Sequence, residues 1–329
     1  MNEIITKFDL INKKIDNIKK NNTKSIKFIK AENTRHDFVV WQALREGDEP
    51  IAETKKRFFL NLPKATGDLR IIQLSLLVLL KKIDEVCRKN EIPYFLAAGT
   101  LFGAVRHKGF IPWDDDVDVF MFHDDVDRLF EVMEDEKDFE IVNWISIDIE
   151  RLNKMYNRMV RVTYKNSKLE GRRNILDIFV LDYAADTSQK TWKAYLDIRN
   201  LIFKEQQQLR EKGIRDEETL MTLHKKYVPI FQKAVNPENT KNAVIWHFDN
   251  FTHASKFIVE AEMIFPLREV EFEGHLFMVP NRAEDFIRWR YGNIFSLPMD
   301  IGVLSRHGIY EPKEINILKE LLNKYGQEC

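Results

Sequence analysis

The sequence predicts an α+β fold, with helices before and after a modest mixed sheet and a helical extension at the N-terminus. Two observations predict it. Apolar residues repeat at helical spacing in three separate stretches, from residue 70, from about 191 to 234, and after Pro312. Between them lie short runs of β-branched and aromatic residues bounded by Gly, Pro and Asn, the mark of strands joined by turns. The extension is expected to cover residues 1–69 and the main domain residues 70–329, with a helical segment at about 190–260 inside it.

Residues 1–30 carry eight lysines against three acids. Ile4, Phe8, Ile11, Ile15 and Ile18 step by four, three, four and three, a heptad spacing over about two repeats. Such a helix can join two copies of the chain, rest a basic face on an anionic membrane, or pack on its own domain. Residues 31–66 show no clear period, and Asn61–Gly67 reads as a loop. Beyond it, Ile72, Leu76, Leu79, Leu80, Ile83, Val86 and Cys87 share one helical face.

A strand is expected over Tyr94–Ala98, closed by Gly99-Thr100, then a turn or short helix over Leu101–Arg106. Lys108–Trp113 reads as a loop and Asp116–Met121 as the next strand. His123 and Asp124 stand where a cap belongs, before a helix with Val126, Leu129, Phe130 and Met133 inward. Further strands are expected over Phe139–Asn143, Tyr156–Thr163 and Ile175–Leu181. The helical stretch from Thr191 to Ala234 should break near Gly213. Val270–Phe272 and Leu276–Val279 flank Glu273-Gly274 as a hairpin. Asn281 with Glu284 resembles a capping box for a helix that stops at Gly292. Pro312 opens a last helix with Ile315, Leu318, Leu321 and Leu322 inward.

Hydrophobic residues make up 44% of the 329, enough for a real core. With 51 Lys+Arg against 52 Asp+Glu the net charge is −1, which lacks the basic excess of a nucleic-acid-binding chain. Cys87 and Cys329 form no CxxC pair, which argues against a disulfide framework and a thiolate zinc site. No apolar run approaches the roughly 20 residues a bilayer span requires, and the first ten residues lack an apolar signal core. A cytoplasmic protein is expected, with at most peripheral contact at the inner membrane face through the N-terminal lysines.

The most informative stretch is Gly99–Met121, GTLFGAVRHKGFIPWDDDVDVFM. On a strand, Asp116 and Asp118 share one face and Val117 and Val119 the other. Two carboxylates about 5 Å apart repel by roughly 3 kcal/mol at an effective dielectric near 20. A divalent oxygen-seeking cation, Mg²⁺ or Mn²⁺, would relieve that repulsion. The competing reading is a solvated acidic loop. Alternation with valines speaks against it, as does Asp177 inside the apolar run Ile175–Val180, where a lone carboxylate is costly. Asp177 either joins the same cation or pairs with an arginine such as Arg161 or Arg172. Gly99 and Thr100 would let a phosphate approach the backbone, and Arg106, His107 and Lys108 are placed to hold a diphosphate. Trp113 and Phe110 flank the acids, to stack on a ligand or to pack the core.

This segment resembles the signature of the LicD family, which includes fukutin and the fukutin-related protein. LLVLLKKIDEVCRKNEIPYFLAAGT before it, NILDIFVLDY after it and FEGHLFMVPNRAEDFIRWRYGNIFSLP near the end match the same family, so the resemblance spans about residues 70–300. It implies a nucleotidyltransferase-like fold of the DNA polymerase beta type, marked by a Gly-Ser or Gly-Thr pair and an Asp-x-Asp on the next strand. Here those are Gly99, Thr100, Asp116 and Asp118. It implies a catalytic domain that transfers a phosphorylated alcohol, phosphocholine above all, from a CDP-linked donor to a surface glycan or its lipid-linked precursor, releasing CMP. Lipopolysaccharide, capsule and teichoic acid are acceptors of that type. Asp116, Asp118 and Asp177 would then be both the catalytic acids and the Mg²⁺ or Mn²⁺ ligands. Gly99, Thr100, Arg106, His107, Lys108, Trp113 and Arg161 would contact the substrate. Val180 stands where the family commonly has proline.

Ribitol phosphate and glycerol phosphate are alternative cargoes. Other readings are an Asp-x-Asp glycosyltransferase using a nucleotide sugar, a true nucleotidyltransferase releasing pyrophosphate, and a scaffold acting through its basic N-terminal helix. The mostly helical first hundred residues argue against the glycosyltransferase, which places a nucleotide-binding α/β unit there.

Overall fold

The computed structural model describes residues 34–35, 38–146, 157–165, 169, 174–214, 216–248, 256–295 and 310–326. The heptad segment from Ile4 to Ile18 lies outside them. The chain divides into two compact units, residues 1–61 with 295–299, and residues 62–294 with 300–329. Among the described residues no helix is long and apolar enough to cross a membrane.

In the first unit a helical run at 38–44 precedes α1 (Ile51–Leu60). Trp41 is buried against Phe58 and Phe59, at ring-centroid distances of 5.3 and 6.1 Å. Phe59 also meets Phe295 at 6.2 Å. The Arg57 guanidinium, hydrogen-bonded to Glu49, holds that carboxyl down to about 2. The lack of period in residues 31–66 has a simple cause: α1 buries only Thr54 and Phe59.

The second unit is built on α2 (Gly67–Lys89). Its predicted face is buried at every position, and Gln73, Ser75, Leu77 and Val78 are buried too, so the helix is embedded through its middle. Seven strands form one mixed sheet: β1 (Tyr94–Leu96), β2 (Val117–Phe122), β3 (Phe139–Ser146), β4 (Asn157–Tyr164), β5 (Leu176–Ala184), β6 (Ala243–Trp246) and β7 (Ile258–Glu260). The main path runs β1-β2-β5-β4-β3. β5 is long enough to serve two neighbours, β4 along Leu176–Ile178 and β6 along Leu181–Ala184, and β7 follows β6. β2 and β5 are parallel, while the other pairings among the described residues are antiparallel. Phe120 on β2 gathers Phe95, Trp246 and Phe257 at 5.1, 5.5 and 5.7 Å. Each such buried ring contributes about 1.5–3 kcal/mol.

Several local expectations change. The strand predicted over Tyr94–Ala98 ends at Leu96, because Ala98 takes φ 41° and turns the chain straight into α3 (Ala98–His107). Gly99 and Thr100 therefore sit in the first turn of a helix and not at a strand end. Arg106 and His107 are its last turn, and Lys108 closes it in the left-handed conformation. His123 does not cap α4 (His123–Met133); it is the first helical residue and is buried. α5 (Gln189–Glu211) and α6 (Glu217–Val235) are separated at Gly213, φ 78°, as the sequence predicts. Ser188 and Asp216 cap them, their side chains accepting the Thr191 and Thr219 N–H groups.

A short turn of helix, α7 (Ala261–Ile264), leads into the hairpin β8 (Arg268–Phe272) and β9 (His275–Val279). Glu273 and Gly274 both have positive φ, 51° and 82°, as a two-residue hairpin turn demands. Glu273 is held there by its side chain, which takes Lys64 and Arg70 at 2.7 Å each and the Phe110 N–H at 3.2 Å. The capping box expected at Asn281 and Glu284 does not form. Asn281 donates to the Glu262 and Phe265 carbonyls, and Glu284 pairs with Arg268 at 2.7 Å. α8 (Ala283–Tyr291) still stops at Gly292, φ 79°. In α9 (Pro312–Tyr325) Glu314 accepts the Glu311 N–H at 2.7 Å. Ile315 and Leu318 are buried there, whereas Leu321 and Leu322 are only partly so.

Candidate active site

The parallel pairing of β2 with β5 sets Asp118 beside Asp177 in register. Adjacent strands lie about 4.8 Å apart, so the two carboxylates share a face at close range. Asp116, two residues before Asp118, falls on that face as well. Asp114, Asp115 and Asp118 are buried, while Asp116 and Asp177 keep partial exposure. Asp118 has its carboxyl pushed well above the ordinary range, first by burial and then by the charges of Asp116, Asp177 and Asp114. Four acids thus converge from one loop and two strands.

The surroundings hold them in place. Thr100 accepts the Asp118 N–H through Oγ1 at 2.9 Å, tying the first turn of α3 to the start of β2. The Ala97 N–H donates to the Asp118 carbonyl at 3.0 Å. Gln73 from α2 donates to the carbonyls of Asp114 and Ile111 at 2.9 and 3.3 Å. Gly99 packs so closely that a Cβ there would come within 2.5 Å of Asp114 Oδ2. Glycine is needed at this position for approach, not for an unusual φ.

Arg161 on β4 donates Nε to Asp177 Oδ1 at 2.6 Å, and the two side chains are 11% and 25% exposed. Of the two arginines considered for Asp177, Arg161 forms the pair; Arg172 is outside the described residues. Arg106 is 3% exposed, lies over the Phe102 ring at 4.2 Å and donates to the Ile294 carbonyl at 3.1 Å. Burial brings it down to about 10, opposed by the charge of Asp114. The basic run therefore splits. Arg106 turns inward toward the acids, Arg106 Nε bonds His107 Nε2 at 2.8 Å, and His107 meets the edge of Trp113 at 6.4 Å. Lys108 is exposed and reaches Glu271 at 3.5 Å. Phe110 is core, packed on Phe272 at 4.9 Å.

Tyr291, at the end of α8, is the neighbour the sequence reading missed. Tyr291 is half exposed; desolvation raises its phenol, Arg290 opposes this, and the charges of Asp118 and Asp116 add to it. Its ring meets Phe102 of α3 edge-on at 5.8 Å. The available signal is Arg-Tyr before a helix-ending glycine in RWRYGNIF, a stretch that marks a helix terminus and the family resemblance but gives Tyr291 itself no role.

Parts of the chain are similar to known proteins. Residues 91–210 match the profile of the LicD/FKTN/FKRP nucleotidyltransferase domain. That range holds Asp114, Asp116, Asp118 and Asp177 and excludes α8. A stretch of 64 residues is 50% identical to the lipopolysaccharide cholinephosphotransferase LicD of Haemophilus influenzae, over 20% of this chain and 24% of that protein. A stretch of 93 residues is 38% identical to an uncharacterised protein of Rickettsia prowazekii, over 28% of this chain and 30% of that one. A third, of 52 residues, is 52% identical to an uncharacterised protein of Rickettsia typhi, over 16% and 17%. The matched stretches span less than a third of each relative. The segment that brings the acidic cluster together, residues 91–210, is thus similar to the nucleotidyltransferase domain of the LicD/FKTN/FKRP family.

Proposed function

We propose that this chain is a metal-dependent phosphotransferase that moves a phosphorylated alcohol, phosphocholine first, from a CDP-linked donor to a hydroxyl of a surface glycan or its lipid-linked precursor, releasing CMP. The convergence of Asp116, in the loop before β2, with Asp118 and Asp177 on two parallel strands carries this reading. The name of the Haemophilus relative supports choline phosphate as the cargo, and the family profile supports a nucleotidyltransferase-type core.

The donor set fits Mg²⁺ or Mn²⁺: it is all oxygen, and its innermost member is raised by burial and then by its acidic neighbours, whose repulsion a divalent cation would relieve. Asp116, Asp118 and Asp177 would hold the ion, which when bound neutralises phosphate oxygens and favours ionisation of a hydroxyl. The rest of the chemistry falls to the chain. Asp116 and Asp177 keep partial exposure and are the carboxylates a substrate reaches, while Asp118 sits behind them, tethered by Thr100. Arg161 holds Asp177 in position. The first-turn amides of α3 at Gly99 and Thr100 carry the positive end of the helix, suited to the donor's diphosphate. His107, Lys108 and Trp113 border the same loop and would meet the rest of the donor.

The acceptor oxygen forms a bond to the distal phosphorus while the bond from that phosphorus to the bridging oxygen breaks. The bridging electron pair leaves with CMP, and the hydroxyl proton passes to a carboxylate of the cluster. The test is a donor screen with purified chain, using CDP-choline, CDP-ribitol, CDP-glycerol and CDP-ethanolamine, with Mg²⁺ or EDTA. CMP release that EDTA stops and that folded Asp116→Ala and Asp118→Ala proteins lack is the expected result. Release of pyrophosphate, or turnover of a nucleotide sugar, would contradict it.

A further inference from the structure

The strand pair that carries the acids carries a second constellation at its opposite end. Five residues after Asp118 stands His123, and five after Asp177 stands Asp182. At about 3.3 Å per residue the two ends lie roughly 16 Å apart. His123 is joined there by His224 of α6 and by His247, which follows β6. One ring nitrogen from each of the three falls within 4.8 Å of the others. Ring centroids are 4.7 Å apart for His123–His247, 5.4 Å for His224–His247 and 6.0 Å for His123–His224.

The surroundings are those of a built site. Nδ1 of the fully buried His247 is hydrogen-bonded to Asp182 Oδ2, and Gln232 donates to the other oxygen of Asp182 at 3.2 Å. A carboxylate on one nitrogen fixes the tautomer and turns the other nitrogen toward a ligand, the arrangement found behind metal-bound histidines. Phe231 and Phe248 wall His247 at 5.4 and 4.3 Å. His123 and His224 line a cavity of about 390 Å³, which gives an ion a way in. Arg158, Lys225 and Asp127 line it as well, and Arg158 Nη1 lies 3.0 Å from His224 Nε2. That guanidinium sets a positive charge beside the site, which disfavours a cation there.

We propose that His123, His224 and His247 form a second metal site, separate from the acidic cluster, that takes a zinc-class transition ion and uses Asp182 to orient His247. Three imidazoles suit Zn²⁺, Co²⁺ or Ni²⁺ and not Mg²⁺. Three protein ligands leave a fourth position for solvent from the cavity. The ion joins the start of α4, the middle of α6 and the end of β6, and so pins α6 to the sheet.

The test uses the untagged full chain, stripped of metal and titrated with Zn²⁺ alone and with Co²⁺ alone. One ion per chain is expected, not displaced by excess Mg²⁺. Asp182→Asn should weaken binding by about 10–100-fold, His224→Asn should abolish the site, and Arg158→Met should tighten it. Absence of stoichiometric binding by the wild type, or unchanged affinity in a folded His224→Asn protein, overturns the proposal. Should His224→Asn fail to fold, the Co²⁺ spectrum of the wild type decides: intense visible bands of a four-coordinate site support it, and the pale spectrum of a six-coordinate hydrated ion overturns it. CMP release does not enter this test, so it stands or falls apart from the proposed activity.

Discussion

Replacing Arg161 by methionine removes the cation bonded to Asp177 and keeps most of the apolar stem. The pair is short, 2.6 Å, with its partners 11% and 25% exposed. Fully exposed pairs contribute about 0–1 kcal/mol, and breaking a fully buried one costs about 3–5 kcal/mol. Burial between those limits places the loss at about 2–3 kcal/mol, because Asp177 is left beside Asp118 with its partner gone. For a domain of this size that is a fall in Tm of about 4–12 °C. Thermal and urea unfolding in EDTA measure it. Adding Asp177→Asn to Arg161→Met removes the stranded charge and should restore at least half of the loss, a coupling a double-mutant cycle reads directly. Saturating Mg²⁺ should also narrow the gap by supplying positive charge to the same carboxylates. A loss below about 0.5 kcal/mol would put the pair among surface contacts, and a double mutant no more stable than the single would refute the idea that Asp177 is crowded by its acidic neighbours.

Gly99→Ala should favour α3 by about 1 kcal/mol in helix propensity, yet its Cβ would meet Asp114 Oδ2 at 2.5 Å. The variant should fold with little change in Tm and lose CMP release; full activity would show that the Asp114 position is immaterial. Glu273→Gln should cost about 1–3 kcal/mol, since Lys64, Arg70 and the Phe110 N–H all meet that carboxylate. Burial alone would raise Glu273, but Arg70 and Lys64 outweigh it and hold it below its ordinary value. Its stabilisation is therefore complete above the unfolded-state pKa, about 4.3, and is lost as pH falls through the lower folded value. The difference in urea midpoint between wild type and variant should shrink on acidification, and a gap independent of pH would be inconsistent with this. Burial, with Asp84 and Asp125 adding, pushes the Cys87 thiol up to about 12. In a Cys329→Ser chain it should resist a thiol reagent at pH 8 until the protein is denatured, and rapid native labelling would show that α2 opens readily.

Much of the scaffold was legible because local pattern and tertiary environment agree. The α2 face from Ile72 to Cys87, the Glu273-Gly274 hairpin and the break at Gly213 each carry their reason within a few residues. β6 and β7 did not show. AVIW and IVE are too short for alternation, and they become strands only because β5 is long enough to offer its second half as an edge. The first turn of α3 was hidden by Ala98, whose positive φ an alanine does not announce. At the site, Asp116, Asp118 and Asp177 stood out as acids among apolar residues. Of the two arginines offered to Asp177 by the sequence, Arg161 stands opposite it in strand register. The three histidines left no readable trace as a group, since each is brought in by a distant element with no repeat or spacing to announce it.

The proposed activity rests on Asp116, Asp118 and Asp177 gathering to hold a divalent cation. Titration of Mn²⁺, followed by loss of the free-ion electron paramagnetic resonance signal and reversed by Mg²⁺, tests it most directly. One Mg²⁺-displaceable site is expected in the wild type and should be missing from folded Asp118→Asn and Asp177→Asn proteins. Equal Mg²⁺-displaceable binding in all three proteins would contradict it.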